Sequence, residues 1–329
     1  MGAISEAEAT SISTLAKKRL KTITSSFHIF RLSLLHYKIQ KLYKTDFHLA
    51  FTEFFWSHIP AVKTFSMSDP IICFGQQPCG IFPKRFLVAK IQTAYRLQKE
   101  IGGKIVFFYH DSDHDYRETI TLVKEKGTNK EERLNFEQEN KIQKKYSPLY
   151  LKRVPADWQA PMARRLPRFV EPNLVDIFKS VSANIVSDFC LEMYEKMGLL
   201  EHIEIVRSGD PKFREAACDV SEYYVDIPYE GEVARAKFLP EKNVFEIHRG
   251  GEEYLEIPYQ PFTKEQINPT RETRFDWMQS VIHCTHYIAG AGEKAYLGDT
   301  ASKWPDVTFV PRDTIDDPHG SWTKTGFEN

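Results

Sequence analysis

The spacing of hydrophobic and polar positions along this chain changes several times, and each change predicts an element. Ile71 to Phe74 is an unbroken apolar run between Pro70 and Gly75, as in a strand buried on both faces. From Pro83, a residue suited to a first helical turn, apolar positions at Leu87, Ile91, Ala94, Leu97 and Ile101 recur at three and four, and Gly102-Gly103 supplies the stop. Ile105 to Tyr109 is a second apolar run. Strand, helix and strand over residues 71–109 predict a right-handed parallel crossover.

Beyond it, residues 124–147 are dense in Lys, Glu, Asn and Gln and predict a solvated or mobile insertion. Pro172 opens a predicted long helix in which Ile177, Val181, Ile185, Phe189, Met193 and Met197 fall every four residues, ending at Gly198. Ile203 to Arg207 predicts another strand. Val233–Phe238, Val244–His248 and Tyr254–Ile257 predict strands, with Arg249-Gly250-Gly251 turning between the last two, so a β-rich insert is expected near residues 220–262. A helix from Arg271 to about Ser280, a strand end at Tyr287–Ala289, a turn at Gly290-Ala291-Gly292, a helix from Glu293 to Gly298 and a last strand at Val307–Val310 complete the pattern. Repeated strand, glycine turn and helix predict an α/β fold with a Rossmann-like, open and mostly parallel sheet. Residues 67–329 are expected to form this core, and residues 1–66, with helical patterning and basic punctuation, a helical region packed on it.

Composition narrows the function classes. With 329 residues, 42% of them hydrophobic, the chain has enough material for a substantial core. Its 44 basic and 45 acidic residues leave a net charge of -1, which offers no global attraction to nucleic acid or to an anionic membrane. Five cysteines, without a CxxC pair, indicate neither a disulfide framework nor a zinc ribbon. Without a signal-peptide pattern or an apolar stretch of spanning length, the expectation is a cytoplasmic protein with small-molecule substrates and no nucleic-acid or membrane partner.

In open sheets of this type ligands bind beyond the carboxyl ends of the strands. Three turns fall there. Gly75-Gln76-Gln77-Pro78-Cys79-Gly80 combines close backbone approach with two amide side chains, but lacks the spacing and the Lys-Ser/Thr ending of a phosphate-binding P-loop. His110-Asp111-Ser112-Asp113-His114-Asp115 packs three carboxylates and two imidazoles into six residues, suited to metal binding, proton exchange or recognition of an ammonium group. Asx-turn and capping chemistry is the alternative use of the same residues. Gly290 to Glu293 reads as a turn and helix start, with His283, Cys284 and His286 upstream but no second ligand pair, so no metal site is predicted. Lys84, Arg85, Lys90, Arg271 and Arg274 are basic groups able to meet phosphate or carboxylate. No GxSxG elbow occurs.

Taken together, these turns resemble the cysteine-adding enzyme family of bacillithiol biosynthesis. There, a segment of the type TGQQPGLFGGPLYTIYKA leads through a helix to WIAGEDHDFDE; here Phe74 to Phe82, the helix carrying Lys90, and Phe107 to Tyr116 follow in the same order and spacing. Asn268-Pro269-Thr270, Arg274, Tyr287 to Tyr296 and Phe309 to Arg312 are similar to later family blocks, so the resemblance spans roughly residues 70–312. Ser112 stands where the family has Glu, Cys79 where it has Gly, Thr270 where it has Asn and Met278 where it has Gln.

The resemblance implies a core like that of class I aminoacyl-tRNA synthetases. It also implies a ligase that adds an amino acid, cysteine in the family, to the amine of a glucosaminyl-malate-like acceptor, with ATP or another nucleotide activating the carboxylate. Asp113 and His114 would be the catalytic pair. Gly75, Gln76, Gln77, Lys90, Asp115, Arg274, Gly290, Gly292 and Glu293 would bind substrate or nucleotide. The chain runs only 17 residues beyond Arg312, so the family's C-terminal coiled coil, and dimerisation through it, is not expected here.

Overall fold

In the computed structural model, residues 69–124, 131–290, 292–293, 297 and 302–315 are described. The helical region expected over residues 1–66 lies outside them, as does most of the helix expected from Glu293 to Gly298. Strand β1 (Ile71–Gln76), helix α1 (Arg85–Ile101) and strand β2 (Lys104–Tyr109) realise the first crossover. They form one side of a five-stranded, all-parallel sheet completed by β5 (Ile203–Arg207), β11 (His286–Ala289) and β12 (Thr308–Pro311), in the order β12-β11-β1-β2-β5. The chain winds outward from β1 through β2 to β5, then returns to the other side of β1. This is the doubly wound, Rossmann-like arrangement, and its switch point lies between β1 and β11.

Every second residue of a strand faces the same side, so the buried runs must supply two cores. Ile72 and Phe74 of β1, Ile105, Phe107 and Tyr109 of β2 and Ile288 of β11 pack with Leu87, Ile91 and Ala94 of α1 on one face. Cys73, Val106, Phe108, Tyr287 and Ala289, the alternate positions, pack on the other against Phe213, Phe275, Trp277 and Met278. Phe74 and Phe107, paired across the two strands, stack at 4.8 Å between ring centroids.

Several expectations change. The helix opened by Pro172 is two helices, α4 (Pro172–Ser180) and α5 (Val186–Lys196). Between them the Glu192 side chain accepts the backbone N–H groups of Ser182 and Ala183, and the Asn184 carbonyl accepts Val154 N–H at 2.8 Å. These bonds satisfy the backbone without a helix, while Val181 stays in the core and Ala183 packs against it. The charged segment 124–147 is ordered where described: β3 (Thr121–Lys124) pairs antiparallel with β4 (Glu131–Leu134), and α2 (Lys141–Lys145) follows. Its few apolar residues suffice, because Leu134 is buried and Phe136 stacks on Trp158 and edges Phe189. Residues 125–130 lie outside the described set.

The β-rich insert is a second, antiparallel sheet in the order β10-β6-β7-β8-β9, running β6 (Tyr223–Tyr229), β7 (Glu232–Leu239), β8 (Val244–Gly250), β9 (Glu253–Pro258) and β10 (Ile267–Pro269). Strand β6 escapes the sequence pattern because Asp226 and Pro228 interrupt it. Buried Asp226 is matched by Arg214 at 2.7 Å, from α6 (Pro211–Ala216), and by the Tyr150 hydroxyl at 2.8 Å. Helix α3 (Gln159–Arg165) packs on α4, and α7 (Arg274–Ile282) starts three residues later than its pattern predicts. Among the described residues no helix is long and apolar enough to cross a membrane.

Candidate functional site

The ladder between β1 and β2 runs to their last residues, Gln76 opposite Tyr109, and is extended by His110 N–H donating to the Gln76 carbonyl at 2.9 Å. The two bends that follow therefore leave the sheet side by side. The Gln77 side-chain amide donates to the Asp113 carboxylate and ties them together. Gly75 is a close approach: a Cβ there would lie 2.8 Å from the Tyr287 hydroxyl, so the Tyr287 side chain keeps its place only beside a residue without one. Above the switch point these bends border a cleft of about 350 Å3, lined by Gly75, Gln76, Gln77, His110, Arg271, Arg274, Gly290, Gly292 and Arg312 among others.

The acidic bend is mostly tethers. Asp111 accepts from Arg207 at 2.7 Å, from Gly209 N–H at 2.7 Å and from the Ser208 hydroxyl at 3.2 Å, which fastens the end of β2 to the end of β5; burial raises its pKa although Arg207 opposes the rise. Asp115 accepts the backbone N–H of Arg117 at 3.0 Å, capping a 3-10 turn over Tyr116–Thr119, and pairs with the Arg117 guanidinium. Asp113 is 2.9 Å from Arg235 of β7 and 3.6 Å from Arg274 of α7, and accepts His114 N–H at 2.7 Å. Burial pushes the Asp113 carboxyl up, but Arg235, the bond to His114, Arg274 and His110 outweigh it and hold the pKa well below the carboxylate range. A carboxylate so neutralised positions its neighbours better than it takes a proton. His114 is one-third exposed, with Nδ1 3.2 Å from Arg235 and 3.3 Å from Asp113. Neither Asp113, His114 nor Asp115 lines the cleft, whereas His110 does.

His110 is 2% exposed, and neither ring nitrogen has a hydrogen-bond partner. Burial, then the charge of Arg274, holds its pKa well below the imidazole range, with Arg235 and Arg214 adding to the effect against the pull of Asp113. The ring is therefore neutral near pH 7 and keeps one free acceptor nitrogen.

On the β11 side, Glu293 gathers the third turn. Its Oε2 accepts Gly290 N–H at 2.6 Å and lies 2.6 Å from Lys90 Nζ, and its Oε1 accepts the Tyr287 hydroxyl at 3.4 Å. Lys90 also donates to the Gly75 carbonyl at 2.7 Å. Buried Lys90 and half-buried Glu293 thus border the cleft as a pair that locks the first and third turns together.

No protein-family model matches the chain, and no curated protein matches it.

Of the residues singled out in the sequence, the structure brings Gly75, Gln76, Gln77, Lys90, Arg274, Gly290, Gly292 and Glu293 to one cleft and leaves the Asp113, His114 and Asp115 side chains behind its wall. The sequence offered His110 as part of the acidic turn and Arg271 as one of several basic groups, without assigning either, or Arg312, to the binding site that they line. The signal for His110 was its place as the first residue after a strand buried on both faces, at the carboxyl edge where ligands of such sheets bind. Among the described residues no group of three or more His, Cys, Asp or Glu is placed to hold a metal; Cys284 Sγ and N–H both meet Gln279 Oε1 at 2.9 Å, and His286 meets Thr285.

Proposed function

We propose that this chain is a ligase of the cytoplasm that joins an amino acid, cysteine by the resemblance, to the amine of a glucosaminyl-malate-like acceptor, with ATP or another nucleotide activating the carboxylate. The observation that carries the reading is the meeting of Gln76 and Gln77 with His110, from two bends tied together by Gln77 and Asp113, at one cleft over the switch point rimmed by Arg271, Arg274 and Arg312. Amide formation from a free carboxylate requires prior activation, and guanidinium groups stabilise the negative charge of an anhydride and of its leaving phosphate. The amide side chains of Gln76 and Gln77 supply donors and acceptors that orient a polar substrate. Purified chain incubated with cysteine, ATP and glucosaminyl-malate is expected to yield the thiol amide by mass spectrometry with stoichiometric release of phosphate or pyrophosphate. Absence of product with every amino acid and nucleotide tried would overturn the reading.

A second reading is favoured by one observation, the complete pairing of Asp113 by Gln77, Arg235, Arg274 and His114 N–H. A bend without an available carboxylate also suits a protein that binds the same ligands without turnover. Thermal stabilisation by ATP or cysteine without phosphate release would select it.

A further inference from the structure

Resting on the ligation reading, we propose that His110 is the proton acceptor of the cleft: a ring nitrogen takes the proton that the acceptor amine releases as it forms the new amide bond. The geometry carries this. A buried polar side chain without a partner is rare, and His110, a residue of the cleft wall whose two ring nitrogens are shielded from solvent and unpartnered, is explained by a ligand group that reaches one of them as the cleft is occupied. The ring is fixed from below. His110 N–H is held by Gln76, and the imidazole packs over Phe108 with centroids 5.8 Å apart.

Its charged surroundings come from four elements: Asp113 on its own bend, Arg274 on α7, Arg235 on β7 and Arg214 on α6. Arg235 and Arg274 lie within 4 Å of Asp113, and Arg214 is paired with Asp226, so the net field at the ring is positive and favours the neutral imidazole. A neutral imidazole is the form that accepts a proton.

In the step, the uncharged amine nitrogen attacks the carboxyl carbon of the amino acid, which is joined to phosphate through a mixed anhydride made from the nucleoside triphosphate. The nitrogen–carbon bond forms, and the carbon–oxygen bond of the anhydride breaks with its electron pair leaving on the phosphate oxygen. The proton on the attacking nitrogen passes to His110, and from there to solvent after product departs. The negative phosphate leaves toward Arg271, Arg274 and Arg312, the cations of the same wall.

The test has two arms on the full chain. In the first, diethyl pyrocarbonate at pH 6 is expected to carbethoxylate His110, quantified by peptide mass spectrometry, and ATP with cysteine to slow that reaction severalfold. Reaction at the exposed His202 and His248 with none at His110 would overturn the proposal. In the second, His110→Gln, shown to keep the wild-type unfolding temperature, is expected to lower kcat by about a hundred- to ten-thousandfold with KM for ATP little changed, and to lose the acid limb of the wild-type pH–rate profile. Amide formation by wild type with His110→Gln equally active, or with an unaltered pH profile, would overturn the role of His110 alone. No amide from the wild-type chain would overturn ligation and this role together.

Discussion

Arg235 and Asp113, 122 residues apart in sequence, meet at 2.9 Å, a guanidinium from the antiparallel sheet against a carboxylate from the end of the parallel one. Both are almost fully buried, and Arg235 is further held by the Pro269 carbonyl at 3.2 Å and by the face of Tyr224 at 4.1 Å. Removing Arg235 takes away the nearer of the two cations on the buried Asp113 carboxylate and leaves Arg274 at 3.6 Å. Arg235→Met is therefore expected to lower the free energy of unfolding by about 3–5 kcal/mol, read from urea denaturation.

The same pair sets an acid dependence. The folded-state pKa of Asp113 lies below its unfolded value, so its contribution is complete above about pH 4 and is lost as pH falls through the folded value. The stability difference between wild type and Asp113→Asn is expected to be largest near neutrality and to shrink on acidification below about pH 4. A difference that stays constant through that range would mean Asp113 does not titrate differently in the two states.

Gly75→Ala tests the contact between β1 and the Tyr287 side chain of β11. The added methyl would stand 2.8 Å from the Tyr287 hydroxyl and 3.7 Å from Phe108, so Tyr287, which also reaches Glu293, must shift. Overpacking of this kind costs about 1–3 kcal/mol. A Tm lowered by several degrees, together with weakened ligand binding, is the expected outcome.

The parallel sheet was legible because its strands are buried on both faces, so that Ile71 to Phe74 and Ile105 to Tyr109 read as plain apolar runs. The cleft was legible for the same reason, since bends that follow neighbouring parallel strands must emerge at one edge. What escaped depends on partners beyond the reach of a single element's periodicity. Asp226 within β6 reads as a turn residue until Arg214 and Tyr150 stand beside it, and the break between α4 and α5 is set by Glu192 reaching back to residues 182 and 183. The division of labour in the acidic bend was illegible too. Which carboxylate is tethered follows from Arg207, Arg235 and Arg274, on three different elements, and only after their assignment does His110 stand out as the unpaired group.

Arg274 links the wall to the cleft. Its Nε has no hydrogen-bond partner although it is buried, and its Nη2 is 3.6 Å from Asp113, which leaves donors for an anion in the cleft. Arg274→Met is expected to weaken ATP binding by about 1.5–3 kcal/mol, roughly ten- to a hundredfold, by isothermal titration calorimetry. Lys at this position restores the charge but not the planar fork, so Arg274→Lys is expected to recover only part of the affinity.

Lys152 provides a pH test away from the cleft. Its ammonium is 1% exposed and donates to the His114 and Lys144 carbonyls, each at 2.7 Å. Two carbonyls call for two N–H groups, which the neutral amine already supplies, and burial lowers the pKa to about 7. Below pH 7 both folded and unfolded chains hold the proton and the burden of a buried charge is complete. As pH rises from about 7 toward the ordinary lysine value of about 10.4, the folded chain gives up its proton first, so stability gains with pH. Lys152→Met carries no such proton. The unfolding free energy of wild type relative to Lys152→Met, measured in urea at successive pH values, is therefore expected to rise above about pH 7, with a slope approaching about 1.4 kcal/mol per pH unit. A relative stability independent of pH would mean that Lys152 keeps its third proton, and that Asp113 and Asp115 hold the charge in place from behind the carbonyls.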